Sequence, residues 1–303
     1  MKGFFEECIS SGPELCAIAD LKGRDTTAAD LLAALNSALE ALLANRLPAA
    51  QWAVFTWNPS PSATLYTAMK AFIFSTLYHA TRYPLLAETM YPLLTQNFTA
   101  LLQPVPIPPP SIPWNLGAPD NFWGTACTDS SFRANSSEAM HDLVRQQEAV
   151  SGMADGFIGK TWPCAQWKMT AAERYVGTFE TKTNFPVLFV NGAYDPCTPL
   201  SSAKAASDKF EGSVVLTHGG HGHKFIRHPS ICTAKAVRAY FIDGELPEKG
   251  TFCEADLPAF EVAGAGGPGA GNETAKSPKK RGLENKEDLK LLERMLKYAS
   301  KEE

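Results

Sequence analysis

The first 175 residues have an apolar pattern with helical spacing. Thr26 and Thr27 precede an Ala- and Leu-rich run that ends at Leu47, just before Pro48, which is typical of a capped helix. The same spacing predicts further helices over residues 62–80, 84–102 and 137–150. A proline-rich connector at 104–110 cannot form a helix or a central strand.

The pattern changes to short strands and helices from Asn184 onward. Continuous apolar runs at 186–190 and 213–217 predict strands that are buried on both faces of a parallel sheet. Residues 200–210 and 229–242 predict the helices that follow them. This alternation indicates an α/β fold, with a parallel crossover at the edge of a doubly wound sheet.

The end of the chain has a different composition. Residues 264–271 are rich in glycine and predict a flexible linker, and the Lys- and Glu-rich stretch from Glu284 predicts a peripheral, solvated helix that is either docked or disordered and lies outside the site. We therefore divide the chain into a helical region over 1–175, an α/β segment over 176–260, and a linker with a charged tail over 261–303.

Composition excludes several classes of partner. The 303 residues are 45% hydrophobic, which is enough to build a core, and the net charge of −4 provides no basic surface for nucleic acid. No apolar run approaches the length of about 18 residues that a membrane helix needs. We expect neither a nucleic-acid nor a membrane partner, and a peptide or small molecule as the substrate.

Cysteines and glycosylation sequons indicate extracellular chemistry. The seven cysteines lack metal-ligand spacing, so we expect disulfides with one cysteine left over, no metal site and no cofactor. Sequons occur at Asn97, Asn135 and Asn272. The amino terminus has no signal-peptide pattern, so we interpret the chain as part of a longer secreted protein or as a truncated gene product.

Two predicted loops carry residues suited to catalysis. Asp195 follows the first strand within the segment 191–199, and His218, His221 and His223 alternate with glycines after the second strand. Because the carboxyl ends of parallel strands meet at one edge of a sheet, we expect Asp195 and His223 to touch. An aspartate on Nδ1 leaves Nε2 free to take a proton from a nucleophile, and this acid-then-histidine order is that of α/β hydrolases.

A nucleophile is missing from the same pattern. The chain contains no Gly-x-Ser-x-Gly motif, and Ser10-Ser11-Gly12 precedes a helical region rather than following a buried strand. Cys197 is a possible thiol nucleophile, but its position in the acid loop places it beside the wrong member of a triad. We therefore predict an Asp–His pair that can act as a general base, in a chain that lacks the nucleophile.

An ordered series of motifs extends over residues 4–260. In chain order they are Phe4-Phe5-x-x-Cys8, Gly12-Pro13-x-x-Cys16, Cys127-Thr128-Asp129, Trp162-Pro163-Cys164-x-x-Trp167, Gly192-x-x-Asp195-Pro196-x-Thr198-Pro199, Gly222-His223, and Cys232 through Arg238-Ala239-Tyr240-Phe241 and Gly244-x-Leu246-Pro247 to Cys253. With these motifs the chain resembles the carboxyl-terminal part of tripeptidyl-aminopeptidase-like serine peptidases, secreted α/β hydrolases related to prolyl aminopeptidases.

The resemblance implies an incomplete α/β-hydrolase fold, in which a helical cap precedes the last strands and helices of the sheet. It implies Asp195 as the triad acid and His223 as the general base, with His218 and His221 tuning or lining the loop. The disulfides it implies are Cys8–Cys16, Cys127–Cys164 and Cys232–Cys253, which leaves Cys197 as a free thiol. The candidate pocket aromatics, for which core packing is the alternative, are Trp57, Trp114, Trp123 and Trp162.

The implied activity is that of a secreted serine exopeptidase that releases short peptides from free amino termini. Such peptidases carry the serine and the oxyanion hole in an amino-terminal half, so we expect this chain to be inactive alone, with that missing half as a candidate partner. Two alternatives remain open: a non-catalytic, truncated hydrolase-like protein, and another α/β hydrolase such as a serine carboxypeptidase or an esterase.

Overall fold

Helices dominate the chain before residue 178, and the parallel sheet lies after it. The computed structural model describes residues 1–45, 47, 64–101, 119–266 and 285–299. The helices are α1 (Lys2–Ser11), α2 (Ala28–Asn45), α3 (Leu65–Leu77), α4 (Tyr83–Leu94), α5 (Phe98–Leu101), α6 (Pro119–Asp129), α7 (Ser137–Val150), α8 (Ile158–Ala165), α9 (Leu200–Ser207), α10 (Ile231–Asp243), α11 (Ala259–Gly266) and α12 (Lys286–Ala299). The strands are β1 (Leu188–Tyr194), β2 (Val214–His221) and β3 (Phe252–Cys253).

Capping side chains explain where several helices begin. In front of α2, Thr27 donates its backbone N–H to Asp30 Oδ2 at 2.9 Å, and Asp30 returns its own N–H to Thr27 Oγ1 at 3.2 Å. The Oγ of Ser136 accepts the N–H of Ala139, and α7 has the bounds predicted from its spacing. The helix predicted over 84–102 is divided into α4 and α5, because Gln96 adopts a positive φ of 56° between them.

The described residues form two compact units. The first contains Met1–Ala41, Ile73–Leu101 and Thr178–Glu303, and the second contains Leu42–Phe72 and Leu102–Gly177. The first 41 residues and the segment 73–101 thus group with the α/β segment. The sequence division at residues 175 and 260 placed both of these stretches in a separate helical region.

A three-stranded parallel sheet forms the centre of the first unit. The strand order is β1-β2-β3, and β1 pairs with β2 from Leu188 opposite Val214 to Tyr194 opposite His221. Helix α9 connects β1 to β2, as the strand–helix–strand pattern predicted. The Cys232–Cys253 disulfide joins the start of α10 to β3.

Aromatic packing attaches α1 to the rest of the first unit. The Phe4 ring meets the Tyr83 ring edge to face at 4.9 Å and lies 5.8 Å from the Phe260 ring. Glu7 Oε1 accepts the backbone N–H of Ala259 at 2.6 Å. The amino-terminal helix therefore shares a core with residues more than 250 positions later in the chain.

The carboxyl-terminal helix docks on this unit, which is one of the two alternatives that the sequence left open. Leu292 and Leu296 of α12 are buried in a cluster with Ile231, Leu257 and Val262. The apolar stripe of α12 covers a surface that would otherwise face water, which explains why this charged helix is held in place. Helix α11 also extends to Gly266, into the segment predicted to be a glycine-rich linker.

The second unit has its own bonding network. The Cys127–Cys164 disulfide joins α6 to α8, and the Arg133 guanidinium donates to the carbonyls of Cys127 and Met169. Lys70 Nζ lies 2.5 Å from Asp155 Oδ1 in a mostly buried ion pair. Several sequence predictions, namely the connector at 104–110, the linker residues 267–271, Trp57, Trp114 and Asn272, lie outside the described residues.

Candidate active site

Asp195 stands directly after β1, and its carboxylate is fully engaged. Oδ1 accepts the backbone N–H groups of Cys197 and Thr198, each at 2.8 Å. Oδ2 accepts the hydroxyl of Thr198 at 2.9 Å. The side chain is only 6% exposed. Pro196 restricts the backbone after the aspartate, so the turn presents the carboxylate in one orientation.

Only the last of the three clustered histidines lies in a loop, which corrects the sequence prediction for the other two. Strand β2 continues through His218 to His221, because β1 also extends to Tyr194 and provides a pairing partner. The glycines between the histidines suggested a loop, but they continue the sheet. His223 follows the end of β2.

His223 reaches across the strand ends to Asp195, as the spacing predicted. Nδ1 of His223 lies 2.9 Å from Oδ2 and 3.2 Å from Oδ1 of the carboxylate. An ionised carboxylate only accepts, so Nδ1 carries the proton and Nε2 presents a lone pair. Within the described residues Nε2 makes no hydrogen bond, and 31% of the side chain is exposed. The side chain of His223 is therefore partly accessible to solvent.

His221 is part of the core beneath the site. Its ring stacks on the Tyr194 ring at 4.2 Å with an interplanar angle of 4°, and Tyr83 Oη lies 3.4 Å from its Nδ1. Burial, followed by the charge effects of His228, the terminal amino group and His218, lowers the pKa of His221 to about 3. His221 is therefore a neutral packing residue at physiological pH.

His218 is also buried, and its Nδ1 lies 2.9 Å from Thr233 Oγ1. Burial lowers its pKa to about 4, against a smaller opposing effect from a hydrogen bond to the His228 backbone. Neither His218 nor His221 lines an exposed loop. Their positions in β2 direct them into the core, where they support the strand that leads to His223.

Glycine is required at two positions beside these histidines. A Cβ on Gly220 would lie 2.8 Å from the carbonyl oxygen of His228. Gly222 has a φ of +96°, and a Cβ there would lie 2.7 Å from the carbonyl oxygen of Tyr78. The glycines therefore allow neighbouring backbone to approach β2 and the turn that carries His223.

Two residues near the site were missed by sequence reasoning. The Tyr78 carbonyl accepts the backbone N–H of His223 at 2.9 Å, and the two rings meet at 5.1 Å. His228 Nδ1 accepts the N–H of His221 at 2.9 Å, and its Nε2 donates to the Leu257 carbonyl at 2.7 Å. No short motif marks either residue, because both contacts depend on tertiary folding.

The predicted cysteine pairs are joined in the structure, as Cys8–Cys16, Cys127–Cys164 and Cys232–Cys253. Cys197 is a free, exposed thiol in the acid loop. The backbone N–H of Cys197 donates to Asp195 Oδ1, so this residue helps to hold the carboxylate in place.

The remaining predicted positions are surface or partly buried sites. Asn97 and Asn135 are exposed, while Trp123 is half-buried and Trp162 is 42% exposed, both in the second unit. No cluster of potential metal ligands occurs among residues 1–45, 64–101, 119–266 and 285–299. In the same ranges, no helix has the length and apolar character needed to cross a membrane.

Comparison with protein families finds a match over part of the chain. Residues 150–253, about a third of the chain, match the family model described as TAP-like protein, of the α/β-hydrolase class. The matched range contains Asp195, His223 and the strands that carry them, and it supports an α/β-hydrolase-related family for this segment. The motifs at 4–16 and at 127–129 lie before it. A comparison with curated proteins found no match.

Proposed function

We propose that Asp195 and His223 are the acid and the general base of a secreted serine exopeptidase, which releases short peptides from free amino termini. The observation that carries this proposal is the 2.9 Å contact between the carboxylate and Nδ1 at the ends of adjacent parallel strands. The match to the TAP-like family over this segment supports a hydrolase. The resemblance of the motifs to tripeptidyl aminopeptidases supports the peptidase type.

Each group has a defined part in the proposed reaction. A serine hydroxyl attacks the scissile carbonyl carbon, and its proton moves to Nε2 of His223 while Asp195 stabilises the imidazolium. His223 then protonates the leaving amine, the C–N bond breaks, and an acyl-serine remains. Water attacks the ester carbon and gives a proton to Nε2, which returns it to the serine oxygen as the peptide acid leaves.

The serine and the oxyanion-hole N–H groups come, in this proposal, from polypeptide outside the 303 residues. The absence of a Gly-x-Ser-x-Gly motif from the sequence supports this assignment. The candidate partner is the amino-terminal half of a hydrolase of the same family. A base with no nucleophile cannot form an acyl-enzyme, so the chain alone has no peptidase turnover.

A fluorophosphonate probe tests the assignment of the nucleophile. We expect no serine labelling of the 303-residue chain, and labelling when it is produced together with the polypeptide encoded upstream, if that frame carries Gly-x-Ser-x-Gly. Strong labelling of the isolated chain would show that a nucleophile lies within it. An upstream frame without the motif would favour the non-catalytic alternative.

Activity of the longer protein tests the acid and the base. We expect arylamide release from a substrate with a free amino-terminal tripeptide, and a loss of about 10⁴-fold in kcat for Asp195→Asn or His223→Gln. His141→Gln, at an exposed histidine in α7, is the matched control and should keep full activity. Ester hydrolysis without arylamide release would indicate an esterase, and activity only on free carboxyl termini would indicate a carboxypeptidase.

Extracellular location is part of the same proposal. Three disulfides and two exposed sequon asparagines, Asn97 and Asn135, support it.

A further inference from the structure

We infer that Tyr78 is a positioning residue that holds the His223 imidazole against Asp195. It connects the segment 191–199, which we call the acid loop, to the turn after β2 that carries His223. This inference rests on the proposed function of the pair, and it adds a residue that no motif in the sequence indicated. Tyr78 follows the end of α3 and lies in the first unit, together with Asp195 and His223.

The backbone of Tyr78 replaces a hydrogen bond that the sheet no longer provides. His223 lies two residues after the end of β2, so its N–H has no partner in the β1–β2 ladder. The Tyr78 carbonyl accepts that N–H at 2.9 Å, and the adjacent His79 pairs with Gly222 in an antiparallel bridge. The turn that carries the base is therefore anchored to the residues after α3.

Gly222 makes this close approach possible. Its φ of +96° is unfavourable for residues with a Cβ, and a Cβ there would lie 2.7 Å from the Tyr78 carbonyl oxygen. Glycine is therefore required immediately before His223, because any larger residue would push the His223 turn away from Tyr78.

The Tyr78 side chain contacts both loops. Its ring meets the His223 ring at 5.1 Å with an interplanar angle of 65°, an edge-to-face geometry that is favourable for aromatic pairs. Burial raises the pKa of the Tyr78 hydroxyl, and a hydrogen bond with Cys197 and the charge of Asp195 raise it further. The hydroxyl therefore lies at the acid loop, where Cys197 also donates its N–H to Asp195.

The two members of the Asp195–His223 pair are held in place by different contacts. The Asp195 carboxylate is oriented by donors of its own loop, whereas His223 is 31% exposed and depends on neighbours to stay in one rotamer. The Tyr78 ring beside the imidazole and the carboxylate on Nδ1 both favour the orientation in which His223 faces Asp195. Loss of the ring should loosen the hydrogen bond without removing either partner.

The test follows the Nδ1 proton of His223 by NMR in the folded 303-residue chain labelled with ¹⁵N-histidine. Exchange of this proton with water should be roughly two- to tenfold faster in Tyr78→Ala, the range that corresponds to one aromatic contact. Tyr78→Phe keeps the ring and should restore exchange to within about twofold of the native chain. Tyr91→Ala, at a half-exposed tyrosine of α4, is the matched control and should leave exchange unchanged.

Three outcomes would overturn the inference: native exchange in a folded Tyr78→Ala chain, equal acceleration in Tyr91→Ala, or no recovery in Tyr78→Phe. If Tyr78→Ala does not fold, as judged by circular dichroism, Tyr78→Leu keeps apolar bulk without a ring and carries the same expectation.

Asp195→Asn separates this inference from the proposed function. If that change leaves the Nδ1 proton signal intact, the acid–base pair itself is absent and the proposed function fails. If Asp195→Asn removes the signal but Tyr78→Ala does not alter it, only the role of Tyr78 is wrong.

Discussion

At the scale of single residues, burial separates histidines that look equivalent in the sequence. His218, His221 and His223 lie within six positions, yet the first two are in the core and the third is partly exposed. Desolvation disfavours the charged form of a buried imidazole, so burial lowers the pKa of His221 and keeps this side chain neutral. The chemical role of each histidine thus depends on its environment.

His221 should make stability depend on pH. Its pKa is about 3 in the folded chain, below the ordinary value of 6.5, so the unfolded chain binds the proton more readily. The stability due to neutral His221 is complete above pH 6.5 and is lost progressively as the pH falls toward 3. Between pH 7.5 and 4.5, the free energy of unfolding of His221→Phe should fall by roughly 3 kcal/mol less than that of the native chain.

Urea denaturation at the two pH values measures this difference. His141→Gln changes an exposed histidine and should keep the native pH dependence. An identical loss of stability in His221→Phe and in the native chain would contradict the assignment of a buried neutral histidine.

At the scale of elements, local patterns predicted helices more accurately than strand ends. The bounds of α7 match the prediction. The capping serine stands directly before the helix, so both the start signal and the helical pattern can be read from a short stretch of sequence. The ends of β1 and β2 were placed too early. Glycine and histidine are typical of loops, and only pairing between β1 and β2 shows that Gly192 and His218 continue the ladder.

Helix α12 should add measurable stability through its buried stripe. Leu292 is fully buried against Ile231, Leu257 and Val262, so Leu292→Ala removes apolar contacts and leaves a cavity. We expect a loss of about 2–5 kcal/mol, or release of the helix if its docking is weaker than that. Either result should increase amide hydrogen exchange in α10 and around residues 257–262.

Lys290→Ala is the control for this experiment, since Lys290 is exposed on the same helix and should leave exchange unchanged. Unaltered exchange in Leu292→Ala would instead support an undocked tail.

At the scale of the whole molecule, the sheet has an edge and an apolar surface that no described residue covers. β1 is a terminal strand of the sheet order, and Phe185, three residues before it, and Phe241 and Ile242 of α10 are 78%, 78% and 66% exposed. The Tyr240 hydroxyl donates to the Pro186 carbonyl at 2.9 Å, which brings the segments carrying these residues together. Such a surface suits the addition of further polypeptide, as the proposed function requires.

This surface should bind a hydrophobic fluorescent dye in the isolated chain. Phe241→Ser should lower the dye fluorescence by a measurable fraction, because it removes one of the most exposed aromatic side chains. Val150→Ser, at an apolar residue that is 87% exposed at the end of α7, tests whether any single exposed apolar side chain has the same effect. Equal decreases in both variants would argue against a distinct apolar surface.

Several features follow from the order of the residues and their local spacing alone. These are the alternation of strands and helices after residue 184, the position of Asp195 after one strand and His223 after the next, and the lack of a serine motif. Because parallel strands bring their carboxyl ends to one edge, that order alone predicted the contact between the two side chains.

Other features depend on tertiary folding. They are the burial of two histidines, the packing of the first 41 residues, and the contacts that hold His223 in place. Tyr78 and His223 are far apart along the chain, and their contact arises only when the end of α3 meets the turn after β2. Such contacts depend on the free energy of packing the whole unit rather than on local propensity, so no short stretch of sequence encodes them.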